Sequence, residues 1–165
     1  MKKLRIYLDT SIVSAYFDKR KPARQSMTQK WFQNDLKDFS AFVSTLVLEE
    51  INAHPNEKAK NEMLSLINKH SIQVLEIDDA ILKIAGAYRK KVIPHETNDS
   101  IHLAVAAYYK LDGVASWNFK HIVNLKIIKA MHDVNRSEGL PPVEIISIEM
   151  ITPRKKIWHF GRCMK

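Results

Sequence analysis

Cysteine is almost missing from this sequence. The single one, Cys163, stands near the C-terminus, so neither a disulfide framework nor a cysteine-built metal cage is available. Glycine is scarce too. Gly86, Gly113, Gly139 and Gly161 lie far apart, which excludes a glycine-rich phosphate loop. No stretch approaches the roughly 18 consecutive apolar residues that a membrane span requires. The N-terminus MKKLRIYLDTS starts basic, but its apolar run is short and interrupted by charge, so it reads as a strand and not as a signal peptide. The seven histidines are scattered and neither H-E-x-x-H nor G-x-S-x-G occurs, which removes the usual zinc-protease and serine-hydrolase patterns. These absences, with 45% hydrophobic and 27% charged residues in a chain of 165, point to a single cytoplasmic globular domain with no membrane association.

Positive charge is plentiful. Lys and Arg number 26 against 18 Asp and Glu, for a formal net charge of +8. The basic residues cluster at Lys2, Lys3 and Arg5, at Lys19, Arg20, Lys21 and Arg24, at Arg89–Lys91, and at Arg154–Lys156. Such a surface attracts polyanions through counterion release, without sequence information. A solvated basic face with no partner explains the same composition.

Apolar patterning divides the chain into alternating strands and helices. Leu4–Leu8 reads as a strand, and Asp9-Thr10-Ser11 opens a helix with Ile12, Val13 and Ala15. A second helix is expected over Arg24–Lys37, a strand over Phe39–Val43, and helices from Ser44 or Thr45 to Ala53 and over Glu57–Lys69. Strands at Ile72–Ile77, Gly113–Trp117 and Val143–Ile148 alternate with helices starting at Asp78-Asp79, at Thr97 and after His121. With no hairpin signal between apolar runs, this order predicts an α/β fold with a mainly parallel sheet. Ligands of such sheets collect beyond the carboxyl ends of the strands.

Three acids belong to those ends. Asp9 terminates the first strand and Asp99 lies in the first turn of the most apolar helix. Each has an ordinary explanation, Asp9 as a helix cap and Asp99 through the helix dipole. Glu50 stacks one turn after Leu46 and falls between Val47 and Ile51 in angle, whereas Glu49 lies on the polar side. A carboxylate on an inward face is costly unless paired or bound to a cation, although one at the edge of the apolar stripe can reach water. Three carboxylates gathered at one sheet edge repel unless a cation sits among them, and hard oxygen ligands select Mg²⁺ or Mn²⁺ over zinc. His102 and His121 stand close to these acids in sequence, and a lone histidine is more often structural. Trp117 and Phe119 could stack on a base, but burial after a strand explains them equally.

The pattern resembles the PIN-domain family, and in particular the VapC-like toxins. Ile6-Tyr7-Leu8-Asp9-Thr10-Ser11 is similar to the opening motif of the family. Ser44-Thr45-Leu46-Val47-Leu48-Glu49-Glu50-Ile51 resembles the second, in which the glutamate directly before Leu or Ile is the functional one, selecting Glu50. Asn98-Asp99-Ser100-Ile101-His102-Leu103-Ala104 resembles the third, and Ser116-Trp117-Asn118-Phe119-Lys120-His121 the fourth. The resemblance covers Leu4 to about Ile148. It implies a PIN-like, doubly wound sheet of about five strands flanked by helices over residues 1–150, with a basic tail at 151–165. It further implies Mg²⁺ (or Mn²⁺) held by Asp9, Glu50 and Asp99, with Thr10 or Ser11 orienting the site, and RNA phosphodiesters hydrolysed by metal-activated water. The implied partners are an RNA substrate, a small antitoxin protein and a second copy in a homodimer. The fourth motif departs from the pattern: many members carry another aspartate there, whereas this chain has Asn118 and His121. Asn118 matches a frequent Thr-x-Asn form and is carried over as a catalytic-site residue.

A catalytically weak or inactive PIN-like module that binds RNA or protein is the alternative, favoured by the missing fourth carboxylate and opposed by the three retained acids. A receiver-like signalling domain is a third reading. It expects an acidic pair near the N-terminus, whereas Asp9 has no acidic neighbour.

Overall fold

The computed structural model describes residues 3–151. Five strands, β1 (Leu4–Leu8), β2 (Phe39–Ser44), β3 (Gln73–Leu75), β4 (Gly113–Ala115) and β5 (Glu144–Ile146), form one sheet in the order β3-β2-β1-β4-β5. Every neighbouring pair is parallel, so the expected mainly parallel sheet is parallel throughout. Parallel neighbours need long crossovers, usually helical. Here these are α1 (Thr10–Ala15), α2 (Pro22–Lys30), α3 (Thr45–Asn52), α4 (Glu57–Lys69), α5 (Asp79–Lys91), α6 (Thr97–Tyr108) and α7 (Leu125–Ser137), with the short α8 (Ile148–Ile151) after the last strand. The expected basic tail begins at the end of α8, and its residues 152–165 lie outside the described residues.

β1 is the central strand. Ile6, Tyr7 and Leu8 at its carboxyl half are at most 2% exposed. From β1 the chain builds outward through β2 and β3, then crosses to the other side of β1 for β4 and β5. The order therefore reverses between β1 and β4, and the crevice beyond their carboxyl ends is where this architecture leaves space for a ligand. The Asp9 amide donates to the Ala115 carbonyl at 3.2 Å, carrying the β1–β4 pairing to the edge of that crevice.

Local differences from the sequence reading have identifiable causes. The helix expected over Arg24–Lys37 begins at Pro22, a residue suited to a first turn because its missing N–H has no intrahelical partner there, and is α-helical only to Lys30. It continues as a π turn at Trp31–Asp35 and a 3-10 turn at Leu36–Asp38. Trp31 and Phe32, adjacent in sequence, are both buried, with ring planes at 89° and centroids 5.4 Å apart; the π turn accommodates both. Strands β3, β4 and β5 are shorter than the apolar runs that contain them. After β4 the chain still bonds to its neighbour, Ser116 N–H to Ile146 C=O at 3.0 Å, but the Ser116 side chain turns to a different task described below. Gly139, at φ +67°, closes α7 in the left-handed conformation that glycine adopts without strain.

α6 is the most enclosed helix, with every residue from His102 to Ala107 buried. Its alanines let neighbouring elements approach closely, and α5 packs along it. This fixes the first turn of α6, and with it Asp99, against the sheet edge.

Candidate active site

The carboxyl ends of β1 and β4, the second turn of α3 and the first turn of α6 surround a cleft of about 330 Å³ lined by Asp9, Glu50, Asp99 and Asn118, with Thr10, Ser11, Arg24, His102 and Trp117. The four residues singled out from the sequence therefore come together although they lie as far apart as positions 9 and 118.

Asp9 is 3% exposed. Its Oδ1 accepts the Ile12 amide at 3.2 Å, the helix-cap role anticipated for it, and the Ser11 hydroxyl at 2.5 Å. Its Oδ2 accepts the Ser116 hydroxyl at 2.5 Å. Burial raises the Asp9 pKa above the ordinary carboxylate value, against the opposing pull of His102, Ser11 and Ser116. Among the described residues, three accepted bonds leave one of its four lone-pair positions open.

Glu50 points inward from α3 while Glu49 is exposed. Its Oε1 accepts the Asn98 amide at 2.7 Å, and its Oε2 accepts the Thr10 hydroxyl and faces His102 Nε2 at 3.2 Å. Burial alone would raise its pKa, but the bond and charge of His102, with the bonds from Thr10 and Asn98, outweigh this and hold the carboxyl at about 2. An inward carboxylate needs partners, and these are its partners.

Asp99 is 14% exposed at its side chain. Its Oδ2 accepts the Asn118 amide at 3.1 Å and lies 3.3 Å from His121 Nδ1. No hydrogen bond reaches its Oδ1 among the described residues. Burial raises its pKa; His102 and His121 pull it down, while the charges of Asp9 and Glu96 push it further up. Asn118 is itself held in the turn after β4, its amide N–H donating to Ser116 Oγ at 2.9 Å.

One trio of potential ligand atoms among the described residues lies within 4.8 Å of one another: Glu96, Asp99 and His121. His121 Nδ1 sits 3.0 Å from Glu96 Oε1. Asp9 and Glu50 share the cleft with Asp99 but do not complete a trio at that spacing. Ser116, Glu96 and Arg24 were missed in the sequence. Glu96 precedes Asp99 by one helical turn, a spacing that would have found it. Ser116 ends a strand, but its partner Asp9 is 107 residues away. Arg24 pairs with Asp18 at 2.9 Å and brings one residue of a basic cluster to the acidic cleft. Trp117 is buried, its Nε1–H donating to Thr28 Oγ1 at 3.0 Å, whereas Phe119 is 49% exposed.

The donor set suits a divalent cation. Among the described residues all three carboxylates retain free acceptor capacity, and the ionised forms of Asp9 and Asp99 are disfavoured by burial, which a cation would compensate. Asn118 adds a neutral amide oxygen, though that oxygen accepts the His121 amide at 3.2 Å. Oxygen-rich ligation of this kind fits Mg²⁺ or Mn²⁺, and Mg²⁺ commonly takes only one or two carboxylates and keeps several waters.

Comparison with known proteins agrees with this architecture. The fold is similar to a chain of VapBC2 from Rickettsia felis, solved bound to a DNA fragment from their promoter, with a TM-score of 0.55 and 12% identity over 87% of this chain and 98% of that one. A comparison with curated protein sequences finds no match. The family model described as PIN domain matches residues 6–117, from the central strand to the residue before Asn118. With that match spanning well over half its length, the chain belongs to the PIN domain family.

Proposed function

We propose that this protein is a Mg²⁺-dependent endoribonuclease, able to use Mn²⁺, in which Asp9, Glu50 and Asp99 hold the cation and Asn118 completes the catalytic site. The observation that carries the reading is the arrival of three carboxylates from β1, α3 and α6 in one cleft at the carboxyl edge of a parallel sheet. A cation bound there would lower the pKa of a water and offset charge developing on a phosphoryl oxygen. The protein's own groups do the rest. Ser11 and Ser116 fix the plane of the Asp9 carboxylate, and Thr10 and Asn98 hold Glu50 from two sides. Asn118 braces Asp99. Arg24 supplies positive charge beside the acids, where a phosphate would lie, and the net charge of +8 draws the polyanion in.

The catalytic unit on this reading is residues 1–150, with 151–165 as a basic extension. The similarity to a VapBC2 chain supports a place in a two-component toxin–antitoxin pair, with this chain as the toxin, a small antitoxin as its protein partner, a homodimer as its assembly and the cytoplasm as its site of action. No helix among the described residues is long and apolar enough to cross a membrane.

The test incubates the purified protein with structured and unstructured RNAs in Mg²⁺ or Mn²⁺, then with EDTA. Cleavage should depend on the cation and disappear in Asp9→Ala and Asp99→Ala, with Glu49→Ala close to wild type. Cutting that survives both aspartate substitutions would sink the assignment. RNA retained but never cut would favour the binding-module reading, to which Asn118 and His121 in place of a fourth carboxylate already lean.

A further inference from the structure

Beneath the three carboxylates runs a chain of buried polar side chains. Tyr7 Oη lies 2.7 Å from Ser44 Oγ and 2.7 Å from His102 Nδ1, and His102 Nε2 lies 3.2 Å from Glu50 Oε2. Tyr7 and Ser44 have no exposed surface and His102 is 3% exposed. Polar groups at that depth are costly without partners, and apolar residues of similar size would fill the same space. Their origin explains their presence. Tyr7 stands two residues before Asp9 on β1, His102 stands three residues after Asp99 on α6, and Ser44 ends β2 immediately before α3, which carries Glu50. Each element or junction that delivers an acid also contributes one member.

We infer that Ser44, Tyr7 and His102 are positioning residues that aim the Glu50 carboxylate and tie together the three elements bearing the acids, so that they receive a divalent cation in a fixed arrangement. This rests on the metal-centre reading above. Hydrogen-bond counting gives the chain a direction. A neutral imidazole has one donor and one acceptor nitrogen. An ionised Glu50 only accepts, so Nε2 donates to it, Nδ1 accepts the Tyr7 proton, and the Tyr7 oxygen accepts from Ser44. With both ring nitrogens protonated, only the inner half reverses: Nδ1–H donates to Tyr7, and Tyr7 to Ser44. The donor facing Glu50 is the same in both cases. Dispersion contacts hold elements at a distance but cannot specify that orientation, which is what a metal-ligating carboxylate needs from the groups behind it.

The experiment titrates the purified full chain with Mn²⁺, read by the paramagnetic resonance signal of the free ion, and separately measures kcat and KM for RNA cleavage. Tyr7→Phe keeps the ring and removes the hydroxyl. It should weaken Mn²⁺ binding about tenfold, the lower end of the loss seen when groups orienting metal ligands are removed, and lower kcat with KM for RNA unchanged. His102→Leu should lose more, and His102→Gln, whose amide can place an N–H toward Glu50, should recover part of the difference. If His102→Leu does not fold, Tyr7→Phe and Ser44→Ala decide. Folded variants with wild-type Mn²⁺ affinity and kcat would overturn the inference. So would a rise in KM alone with no recovery by glutamine, which marks simple packing. Wild-type protein that takes up no Mn²⁺ overturns the metal-centre reading and this inference with it. Uptake lost in Asp99→Asn yet retained in Tyr7→Phe and Ser44→Ala overturns this inference alone.

Discussion

Asp99→Asn should make the cation-free protein more stable while removing its response to the cation. The side chain is 14% exposed; burial disfavours its charge, and the pull of His102 and His121, set against the repulsion of Asp9 and Glu96, leaves the net shift upward. A carboxyl with a raised folded-state pKa destabilises the fold whenever it is ionised, so neutralising it at pH 7 relieves that cost. The amide is nearly isosteric, and its oxygen can still accept the Asn118 N–H now at 3.1 Å. The gain should be on the order of 1 kcal/mol, as is common when a destabilised functional residue is replaced. For a chain of this size that is about 2–4 °C in Tm. With free Mn²⁺ at about 100 times its Kd, wild type should gain about 2.7 kcal/mol, or about 5–11 °C, and the variant should gain little. The two proteins then exchange rank: the variant melts higher in EDTA, wild type higher in Mn²⁺. Thermal melts followed by circular dichroism read this without any RNA. A variant that melts below wild type in EDTA, or a wild-type Tm indifferent to Mn²⁺, would refute the reasoning.

Further expectations concern pH and the supporting bonds. Asp9 and Asp99, both raised, take up protons above the ordinary aspartate pKa of about 3.9, so Mn²⁺ affinity should fall as pH drops toward that value while the fold gains stability from their neutralisation. Glu50 has the opposite sign: its contribution is complete above its unfolded value of 4.5 and is lost as pH falls toward about 2, a loss on the order of 2–3 kcal/mol. Calorimetric titrations and melts at stepped pH test the pair, and cation affinity that stays flat into the acid unfolding range would count against it. Ser116→Ala removes the donor to Asp9 Oδ2 and the acceptor of the Asn118 amide, and should lower Mn²⁺ affinity and cleavage about 10–100-fold; unchanged values would show that Asp9 needs no such support. Tyr88→Phe deletes the bond from buried Tyr88 to Asn135 that joins α5 to α7, and urea unfolding should register about 1–3 kcal/mol with cleavage unaffected. A neutral result there would mean that Asn135 finds another donor.

The sequence patterns became structure wherever a residue's partners were close along the chain. The helix Glu57–Lys69 has its expected bounds, with the Asn56 side-chain oxygen accepting the Ala59 amide as its cap, because both the apolar spacing and the capping residue are local signals. Asp78 opens α5 in the same way, accepting the Ile81 amide. The resemblance to the PIN family, argued from four short motifs in order, agrees with a family match over residues 6–117. The π turn at Trp31–Asp35 had no such signal, since it depends on how two adjacent aromatic rings pack against the sheet.

Within the cleft the same division holds. Asp9 and Asp99 could be picked out because each stands at the start of a helix, and Glu50 because it falls on the apolar side of α3; a carboxylate in such a place leaves a mark in the spacing. Their supports leave none. Ser116 meets Asp9 across 107 positions, His102 meets Glu50 across 52 and Tyr7 meets Ser44 across 37. Only the strand order brings these together: with β1 between β2 and β4, Tyr7 and Asp9 lie within reach of both neighbouring strand ends at once. Had β4 joined the far edge beside β3, the same residues at the same spacing would have left two strands between Ser116 and Asp9. The acids are thus a property of the motifs, whereas the bonds that orient them are a property of the topology.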